Sequence, residues 1–367
     1  MILLHAAPIT WGKIGGLQAS IPALIAAQNR IDGVEAALAV TVPNAAEHPQ
    51  MPFPVFDGKI SVGRARRLSL PKPFDRPGLV VFHSTYIPAH ATIATQLRNA
   101  AIPYIVCPRG GLTRRSQATK KWKKKLGNLL FFNWVVANAA ALHFLTEGEI
   151  DASTPWRRPR FVVGNGVEVP DESQLASPGK ADDLRLLFIG RLHVDHKGLD
   201  MLLDACRLVR DDLHGAGARL ELHGPDCSGS REILAERIHT LQLHEIVELH
   251  GPCAGDAKAA LLKQADVFVH PSRTEGHPSS VLEAMSYGVP CLLTPNTNVA
   301  GQAVEAGAGW QVEPTAAGIA EGLVQILTAD RTTLRTSGVN ARRLAVERFA
   351  WPRVADQCLE HYRRFAA

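Results

Sequence analysis

The sequence predicts an α/β protein built from two Rossmann-like domains. Apolar runs of strand length alternate with helical patterns along all 367 residues, the runs fall into two series, and a polar segment separates the series. Nearly continuous apolar strands alternating with helices are typical of parallel sheets covered on both faces. A chain of this length also exceeds what one ordinary core accommodates, so we expect two domains.

The first series begins with an apolar opening segment that we interpret as a buried strand. Five further runs follow in the N-terminal half, at 34–42, 78–84, 102–108, 140–146 and 160–166. The second series comprises 184–190, 218–224, 246–251, 265–271 and 289–294. Residues 169–183 are rich in Pro, Ser and Gly, as linkers are, and we place the domain boundary after residue 170.

Charge is distributed unevenly between the two halves. Residues 1–180 contain 21 Lys and Arg against 11 Asp and Glu, a net charge of +10. The remaining residues contain 19 against 24, a net charge of −5. The N-terminal half is therefore the half expected to meet an anionic partner.

Several features of the sequence limit the class of protein to which the chain can belong. The longest apolar stretch, 128–145, is interrupted by Asn133, Asn138 and His143, which favours a core helix followed by a strand over a membrane span. The opening segment lacks the basic start of a signal peptide, so we expect a cytoplasmic protein. The six cysteines form no C-x-x-C pair and are expected to be reduced and mostly buried.

The loops that follow the strands carry the candidate ligand groups, as expected for open α/β sheets. Gly15 and Gly16 come after the first strand and before a helical run, where backbone amides can approach a phosphate, although such a pair can also be a simple turn. Gly190 ends strand 184–190, and Arg191 and Lys197 follow it. The two cations could clamp a diphosphate, or they could be solvated surface charges.

Two further loops share a sequence. The strands 218–224 and 246–251 both run into the pentapeptide ELHGP. These His-Gly-Pro turns could present backbone groups to a nucleobase, or they could be only turns.

The segment EGHPSSVLE, residues 275–283, suggests both a helix start and a site. Ser280 and Glu283 have the spacing of a capping box, and Gly288 suits the end of the helix. A cap of this kind stabilises by about 1 kcal/mol. It does not account for Glu275, a second acid on the loop beside the helix N-terminus.

Taken together, these motifs resemble retaining glycosyltransferase family 4. Residues 271–294, PSRTEGHPSSVLEAMSYGVPCLLT, are similar to the family's signature of two glutamates separated by seven residues. Residues 188–205 resemble its glycine-arginine loop followed by lysine-glycine, and GNGVEV (164–169) resembles its Asn-Gly-Val element at the domain junction. The terminal stretch 348–365 is similar to the family's last helix. The C-terminal half resembles the family in specific motifs, and the N-terminal half resembles it only in short, separate segments.

The resemblance implies the GT-B fold, two Rossmann-like domains facing across a cleft. It assigns residues 1–170 to acceptor binding, 171–350 to nucleotide-sugar binding, and 351–367 to a helix that returns to the N-terminal domain. The donor is a substrate linked to UDP or GDP, and no cofactor is expected. The acceptor is a glycan or a lipid-pyrophosphate-linked glycan, and the pathway is the assembly of capsule, exopolysaccharide or lipopolysaccharide.

The resemblance also implies roles for the candidate residues. Arg191 and Lys197 neutralise the diphosphate leaving group, Glu275 accepts hydrogen bonds from the transferred sugar, and Glu283 binds the ribose hydroxyls. The backbone of the loop and helix start cradles sugar and phosphates, through Gly276, His277, Pro278, Ser279 and Ser280. The same helix start would then both cap the helix and bind the ligand.

The N-terminal half departs from the family pattern at one position. Many relatives have a histidine that contacts the donor sugar where this chain has Arg109, in the sequence PRGGL. His83, at the end of a neighbouring strand, could supply a compensating contact, or it could be a histidine of the core or its rim. The PRGG variant itself resembles enzymes that assemble capsules, exopolysaccharides and O-antigens.

A metal-independent, retaining mechanism is expected. Preorganised cations and amides can stabilise charge on a departing phosphate without a metal. No Asp-x-Asp triplet lies in a convincing metal position. Retention would come from attack on the front face assisted by the leaving phosphate, or from a short-lived ion pair.

The basic stretch 113–125, TRRSQATKKWKKK, is either a solvated face or an acceptor-side element at an anionic membrane surface, where each cation contributes about 1 kcal/mol. Reversible attachment to the inner face of the plasma membrane is therefore part of the expectation. Two other functions stay open. One is a nucleotide-sugar epimerase of GT-B fold, and the other is a basic nucleic-acid-binding protein, which the acidic C-terminal half disfavours.

Overall fold

The computed structural model describes residues 1–12, 15–44, 46, 48–57, 60–61, 67–118, 127, 131–175 and 184–367. Their contacts divide the chain into two compact units. The first unit consists of Met1–Gly166 together with Trp351–Ala367, and the second consists of Val167–Ala350. This division falls four residues before the predicted boundary, and it places the C-terminal segment with the N-terminal part of the chain.

The first unit contains a seven-stranded sheet in which all neighbouring strands are parallel. Its strand order is β3-β2-β1-β4-β5-β6-β7. The strands are β1 (Ile2–Ala7), β2 (Glu35–Val40), β3 (Val55–Asp57), β4 (Leu79–His83), β5 (Tyr104–Cys107), β6 (Ala141–Phe144) and β7 (Arg160–Val162). The helices described before the linker include α1 (Gly16–Gln28), α2 (Pro88–Ala100), α3 (Arg114–Ala118), α4 (Asn133–Ala137) and α5 (Glu147–Ala152).

The second unit contains a six-stranded parallel sheet of order β10-β9-β8-β11-β12-β13. The strands are β8 (Arg185–Ile189), β9 (Arg219–His223), β10 (Val247–His250), β11 (Val267–His270), β12 (Cys291–Leu293) and β13 (Gly309–Gln311). The helices are α6 (Val194–Lys197), α7 (Leu199–Leu208), α8 (Arg210–Gly215), α9 (Ser230–Thr240), α10 (Gly255–Gln264), α11 (Ser279–Ser286), α12 (Ala300–Glu305), α13 (Ala316–Thr328) and α14 (Arg331–Leu344). Short 3₁₀ turns lie at Glu172–Gln174 and Pro295–Thr297, and a π-helical turn lies at Ala345–Phe349.

The strand order reverses direction once in each sheet. The reversal falls between β1 and β4 in the first unit and between β8 and β11 in the second. Ligands of doubly wound sheets bind beyond the carboxyl ends of the strands at such switch points. The loops after β1, β4, β8 and β11 are therefore the places to look for function, and they carry most of the candidate residues.

The last helix, α15 (Trp351–Arg363), belongs to the core of the first unit. Trp351, Val354 and Tyr362 are buried there among residues of β1, α1 and β2. Gly166 allows this arrangement, because a Cβ atom at that position would lie 2.3 Å from the Trp351 ring. Glycine is thus required where the chain meets the start of the last helix.

The strands predicted from the sequence are confirmed, and two short edge strands, β3 and β13, were missed. Each has only three residues, and each lies at the edge of its sheet. The apolar stretch 128–145 forms α4 and then β6, with residues 128–130 outside the described part. All six cysteines are free thiols, four of them buried. Within the described ranges, no helix combines the length and the apolarity that crossing a bilayer requires.

Candidate active site

Glu275 lies on the loop after β11 and is surrounded by three hydrogen-bond donors. Lys197 forms an ion pair with its Oε1 atom. Ser272 donates from Oγ to the same oxygen at 2.8 Å, and the Nε2 atom of His270 lies 3.0 Å from it. The side chains of Lys197 and Glu275 are only 9% and 11% exposed. His270 ends β11, and the other three residues follow β8 or β11, the two strands at the switch point of the second sheet.

The donors keep Glu275 ionised. Burial favours the neutral acid, but the hydrogen bond from His270 and the charge of Lys197 outweigh it, so the pKa of Glu275 lies below its usual value. Burial and the nearby Lys197 charge lower the pKa of His270, which is therefore a neutral imidazole. The loop thus presents a fixed carboxylate, a group that accepts hydrogen bonds from hydroxyl groups.

Gly198 is what allows Lys197 to reach Glu275. Helix α6 ends at Lys197, and Gly198 follows in the left-handed region with φ of +67°. A Cβ atom at this position would lie 2.2 Å from the carbonyl oxygen of Pro271. The glycine therefore permits both the turn and the close approach of the two loops.

Other contacts lock the same two loops together. The guanidinium of Arg273 donates to both carboxylate oxygens of Asp200, each at 2.7 Å. The backbone N–H of Arg273 donates to the carbonyl of His196 at 3.1 Å. Bidentate pairs of this kind fix geometry as well as charge. These contacts between the two loops fix the position of Lys197.

The backbone of Glu275 is held from the other side by the segment after β12. Its N–H donates to the carbonyl of Asn296 at 3.0 Å. The side-chain amide of Asn298 donates to the carbonyls of Glu275 and Gly276, at 2.8 and 3.0 Å. The loop conformation is therefore set before any ligand binds.

The predicted capping box of Ser280 and Glu283 is wrong. Helix α11 begins at Ser279, with Pro278 in extended conformation as its N-cap and no described side chain capping it. Ser280 consequently lies inside the first turn, and Glu283 forms an ion pair with Lys258 of α10. The predicted role of Gly288 is confirmed, since it follows the helix with φ of +79°. Among the described residues no side chain caps the amides at the helix start, and helix N-termini favour anions.

Two other predicted residues of this region differ in exposure. The imidazole of His277 is buried and meets the Phe349 ring edge to face, with 5.5 Å between centroids. Burial lowers its pKa to about 4. Arg191 is exposed on the loop after Gly190 and forms no ion pair with any residue that the structure describes. Of the two predicted cations, Lys197 is thus prepositioned and Arg191 is available at the surface.

In the first unit, Arg109 follows β5 and is held by three side chains. Its Nε atom donates to Nδ1 of His83 at 3.2 Å. Its Nη1 atom donates to Asn165 at 3.1 Å and to Ser20 at 3.2 Å. Arg109 itself has a left-handed backbone with φ of +50°. Asn165 belongs to the predicted Asn-Gly-Val element, which therefore meets the predicted Arg109 within one unit.

His83 lies behind Arg109 in a buried polar chain. Its Nε2 atom is 2.9 Å from Nδ1 of His5, and the Nε2 atom of His5 is 2.8 Å from Oε1 of Gln28. Burial, followed by the charge of Arg109, lowers the pKa of His83 well below its usual value. Because both ring nitrogens face protein groups, His83 occupies the core position that was one of its two predicted alternatives. Any effect of His83 on a ligand would pass through Arg109.

The glycines after Arg109 are required by the loop. Gly110 has φ of +79°, and its N–H donates to the buried carboxylate of Glu149, which also accepts from Leu145 at 2.9 Å. A Cβ atom at Gly111 would lie 1.9 Å from Oγ1 of Thr85. The PRGG sequence is thus explained by local geometry.

Two remaining predictions concern loops of the first unit. Gly15 is the N-cap of α1, where no side chain of the described residues caps the helix, and Gly16 is the first helical residue. Of the basic stretch 113–125, helix α3 is described, and Arg114 donates to the carbonyl of Asp151 at 3.0 Å. Residues 119–125, including Trp122 and the five lysines, lie outside the described residues.

Sequence reasoning missed several groups around these sites. His270, Ser272, Arg273 and Asn298 in the second unit, and His5 in the first, have no recognisable motif. His5 and His270 were polar residues within apolar strand runs, which is the one signal that could have identified them.

Comparison with known proteins gives a consistent result. Residues 183–329 match the family model described as Glycosyl transferases group 1. The chain is 31% identical over 174 residues to a Salmonella typhimurium protein named as the colanic acid biosynthesis glycosyltransferase WcaL, covering 45% of this chain and 41% of the relative. It is 28% identical over 274 residues to the GDP-mannose:cellobiosyl-diphosphopolyprenol alpha-mannosyltransferase of Xanthomonas campestris, covering 71% and 67%. The match to WcaL thus spans less than half of that relative.

Solved structures resemble the whole chain. Sucrose-phosphate synthase from Thermosynechococcus elongatus superposes with a TM-score of 0.73 at 17% identity, over 99% of both chains. Anabaena HepE, solved in complex with UDP and glucose, superposes with a TM-score of 0.70 at 20% identity, over 100% of both chains. At these identities the likeness shows the fold, and it confirms the predicted GT-B class.

Proposed function

We propose that this chain transfers a sugar from a nucleotide-sugar donor to a glycan acceptor, and the match of residues 183–329 to the family model described as Glycosyl transferases group 1 supports this. The single observation that carries the proposal is the cluster of Lys197, His270 and Ser272 around the carboxylate of Glu275. It sits beyond the carboxyl ends of β8 and β11, where a doubly wound sheet binds its ligand.

Glu275 suits the transferred sugar. A nearly buried carboxylate that stays ionised can accept hydrogen bonds from two sugar hydroxyls, and such charge-assisted bonds are short and directional. In the structure its lone pairs at Oε1 are directed to protein donors. We propose that Oε2 accepts hydrogen bonds from the sugar, which lies against the loop. The hydrogen bonds from protein donors to Oε1 hold the carboxylate in place.

The leaving diphosphate would be held by Lys197, Arg191 and the N-terminal amides of α11. The ammonium of Lys197 would then divide its hydrogen bonds between Glu275 and a phosphate oxygen, and Arg191 would approach from the surface. Groups fixed before the reaction stabilise developing charge at little reorganisation cost. Glu283 is proposed for the ribose hydroxyls, an interaction that requires its ion pair with Lys258 to open or to be shared.

The stereochemistry and metal requirement follow from this assignment. With cations of the protein at the phosphate and no second carboxylate assigned to the sugar, we propose a retaining transfer by front-face attack or through a short-lived ion pair. Chelation with EDTA should leave the transfer rate unchanged. Loss of activity that Mg²⁺ or Mn²⁺ restores would contradict the metal-independent mechanism.

The relatives favour a hexose and a surface polysaccharide. One is named for colanic acid biosynthesis, and another for transfer of mannose from GDP-mannose to a polyprenol-linked acceptor. We propose a UDP- or GDP-linked hexose as donor and a glycan or lipid-pyrophosphate-linked glycan as acceptor. Attachment to an anionic membrane surface through 113–125 is part of the same proposal.

Two alternatives are disfavoured by particular observations. The reported relatives are named as transferases, which gives no support to an epimerase. Binding of nucleic acid does not require a buried carboxylate and lysine at the switch point of a sheet. Donor consumption without an acceptor, or oligonucleotide binding without nucleotide-sugar binding, would restore one of them.

A thermal-shift screen tests the proposed function. The protein is heated with UDP, GDP and their common hexose conjugates, because a ligand that binds the folded state raises the midpoint of unfolding in proportion to its occupancy. We expect one nucleotide family to stabilise the protein and its sugar conjugate to be consumed when acceptor is added. Absence of stabilisation by every nucleotide and conjugate would contradict the proposal.

A further inference from the structure

The repeated pentapeptide ELHGP creates a second cluster of polar side chains. The repeats end β9 and β10, which are neighbours in the second sheet. Their parallel register pairs Glu221 with Glu248 and His223 with His250. The same two residue types therefore lie side by side on adjacent strands, at the carboxyl edge of the sheet.

The side chains of the cluster converge. The imidazoles of His223 and His250 stack with 4.4 Å between centroids and an angle of 9°. The Nε2 atom of His223 lies 3.1 Å from Oε2 of Glu221, and that of His250 lies 3.2 Å from Oε2 of Glu248. One ligand atom from each of Glu221, His223 and His250 falls within 4.8 Å of the others.

We propose that Glu221, His223 and His250 bind a divalent transition-metal ion, with Zn²⁺ as the best match. Imidazole nitrogen and carboxylate oxygen are both ligands that Zn²⁺ takes from proteins. Zinc bonds of about 2.1 Å separate tetrahedral ligands by roughly 3.4 Å. The ligand atoms that lie farthest apart therefore have to approach each other by about 1.4 Å. A change of side-chain rotamer is enough for this.

The surroundings are compatible with this site. Glu248 is close enough to His250 to orient its ring, or to serve as a fourth ligand in place of water. Arg219 donates to Oε1 of Glu248 at 3.3 Å, which leaves Oε2 of Glu248 facing His250. Arg231 is directed to the backbone carbonyls of Leu249 and His250, at 3.0 and 2.7 Å. It therefore fixes the end of β10 rather than occupying the site.

The metal site is distinct from the Lys197–Glu275 cluster. It shares no residue with that cluster, and it does not depend on the proposed transfer activity. The loops after β8 and β9 approach each other closely, since a Cβ atom at Gly224, directly after His223, would lie 1.7 Å from the carbonyl oxygen of Gly190. A bound ion would therefore tie together the loops after β9 and β10 beside the loop that carries Lys197.

The test is metal binding by the whole chain. The protein is stripped with EDTA, exchanged into buffer and titrated with Zn²⁺ by calorimetry, and with Co²⁺ by visible absorption. We expect one equivalent to bind, with a Co²⁺ absorption band typical of nitrogen and oxygen ligands in four or five coordination. The His223→Ala/His250→Ala variant should bind at least 100-fold more weakly and lose the band.

Matched variants separate the outcomes. His214→Ala/His244→Ala removes two exposed histidines of the same unit and should bind as the wild type does. His250→Ala alone, at a half-exposed position, should weaken binding and keep the fold by circular dichroism. Lys197→Ala should leave Zn²⁺ binding unchanged, which separates this proposal from the transfer site. Equal Zn²⁺ affinity in the wild type and the His223→Ala/His250→Ala variant would overturn the proposal.

Discussion

Lys197 and Glu275 form an ion pair in which both side chains are about nine-tenths buried, although 78 residues separate them in the sequence. The pair joins the loops after β8 and β11, the strands between which the sheet order reverses. Removing one member of a buried pair leaves the other charge uncompensated, which is costly. The pair is therefore a structural element of the fold as well as the centre of the proposed site.

Lys197→Ala and Arg191→Ala should both lower transfer activity, by about 100-fold or more, because each leaves charge on the departing phosphate without its cation. They should differ in stability. Lys197→Ala leaves the Glu275 carboxylate buried without its cation and should cost about 3 kcal/mol in the free energy of unfolding. Arg191 is exposed, so its variant should unfold as the wild type does. Steady-state kinetics and urea denaturation measure the two effects.

The opposite pattern would contradict these roles. If Arg191→Ala retained full activity, the exposed arginine would be a solvated surface charge, which was its alternative interpretation. If Lys197→Ala kept both activity and stability, the ion pair would have no energetic importance.

Gly198→Ala should disrupt the same loops without removing any functional group. The new Cβ atom would meet the Pro271 carbonyl at 2.2 Å, and the residue would have to keep φ at +67°. Together these effects should lower the free energy of unfolding by about 2 to 4 kcal/mol. Gly276→Ala is the control, because its Cβ atom would meet nothing within 4 Å and should leave stability unchanged. Thermal denaturation compares them, and equal midpoints would refute the account of the Gly198 turn.

His277 should make stability depend on pH. Its pKa is about 4 in the folded protein and 6.5 ordinarily, so the unfolded state binds the proton more readily between these values. The free energy of unfolding should therefore fall as the pH is lowered from 6.5 to 4, with this residue contributing up to about 1.4 kcal/mol per pH unit. His277→Phe should reduce that slope in urea denaturation, and the exposed His244→Phe should not. A slope unchanged by His277→Phe would show that the buried imidazole does not couple folding to protonation.

Much of the fold could be predicted because its signals are local. The apolar runs of both sheets, the linker composition and the glycine after α11 are each readable within a few residues. Strands β3 and β13 were missed because their three residues, VFD and GWQ, do not lie within a longer apolar run, whereas the three-residue strands β7 and β12 do. The capping box at Ser280 failed because the spacing of two residues does not determine which of them starts the helix, and Pro278 starts it earlier.

The site was predictable only in part. Glu275, Lys197 and Arg109 were identified through motifs. Lys197 lies 78 residues from Glu275, and Arg109 contacts Ser20, His83 and Asn165 from other elements, so only the folded sheets bring these groups together. The parallel register that places His223 beside His250 also depends on which strands become neighbours. Sequence patterns alone suggested that those two turns either present backbone groups to a nucleobase or are simple turns, and gave no role to their histidines.

The basic stretch 113–125 should attach the protein to anionic membranes. Changing its five lysines to Gln, at positions 120, 121, 123, 124 and 125, should leave folding and donor binding intact. It should reduce sedimentation with anionic vesicles and activity on a lipid-linked acceptor, and raised salt should reproduce both losses in the wild type. Equal vesicle binding by variant and wild type at low salt would show that the stretch is only a solvated face.

The most direct test of the central claim is the turnover of Glu275→Gln with donor and acceptor both saturating. The substitution keeps the size of the side chain and removes the charge that Lys197 and His270 stabilise. If Glu275 acts on the transferring sugar, kcat should fall by about 100-fold or more while the affinity for the donor nucleotide changes little. Glu283→Gln is the matched control, and it should mainly weaken donor binding. Turnover of Glu275→Gln within threefold of the wild type would contradict the account.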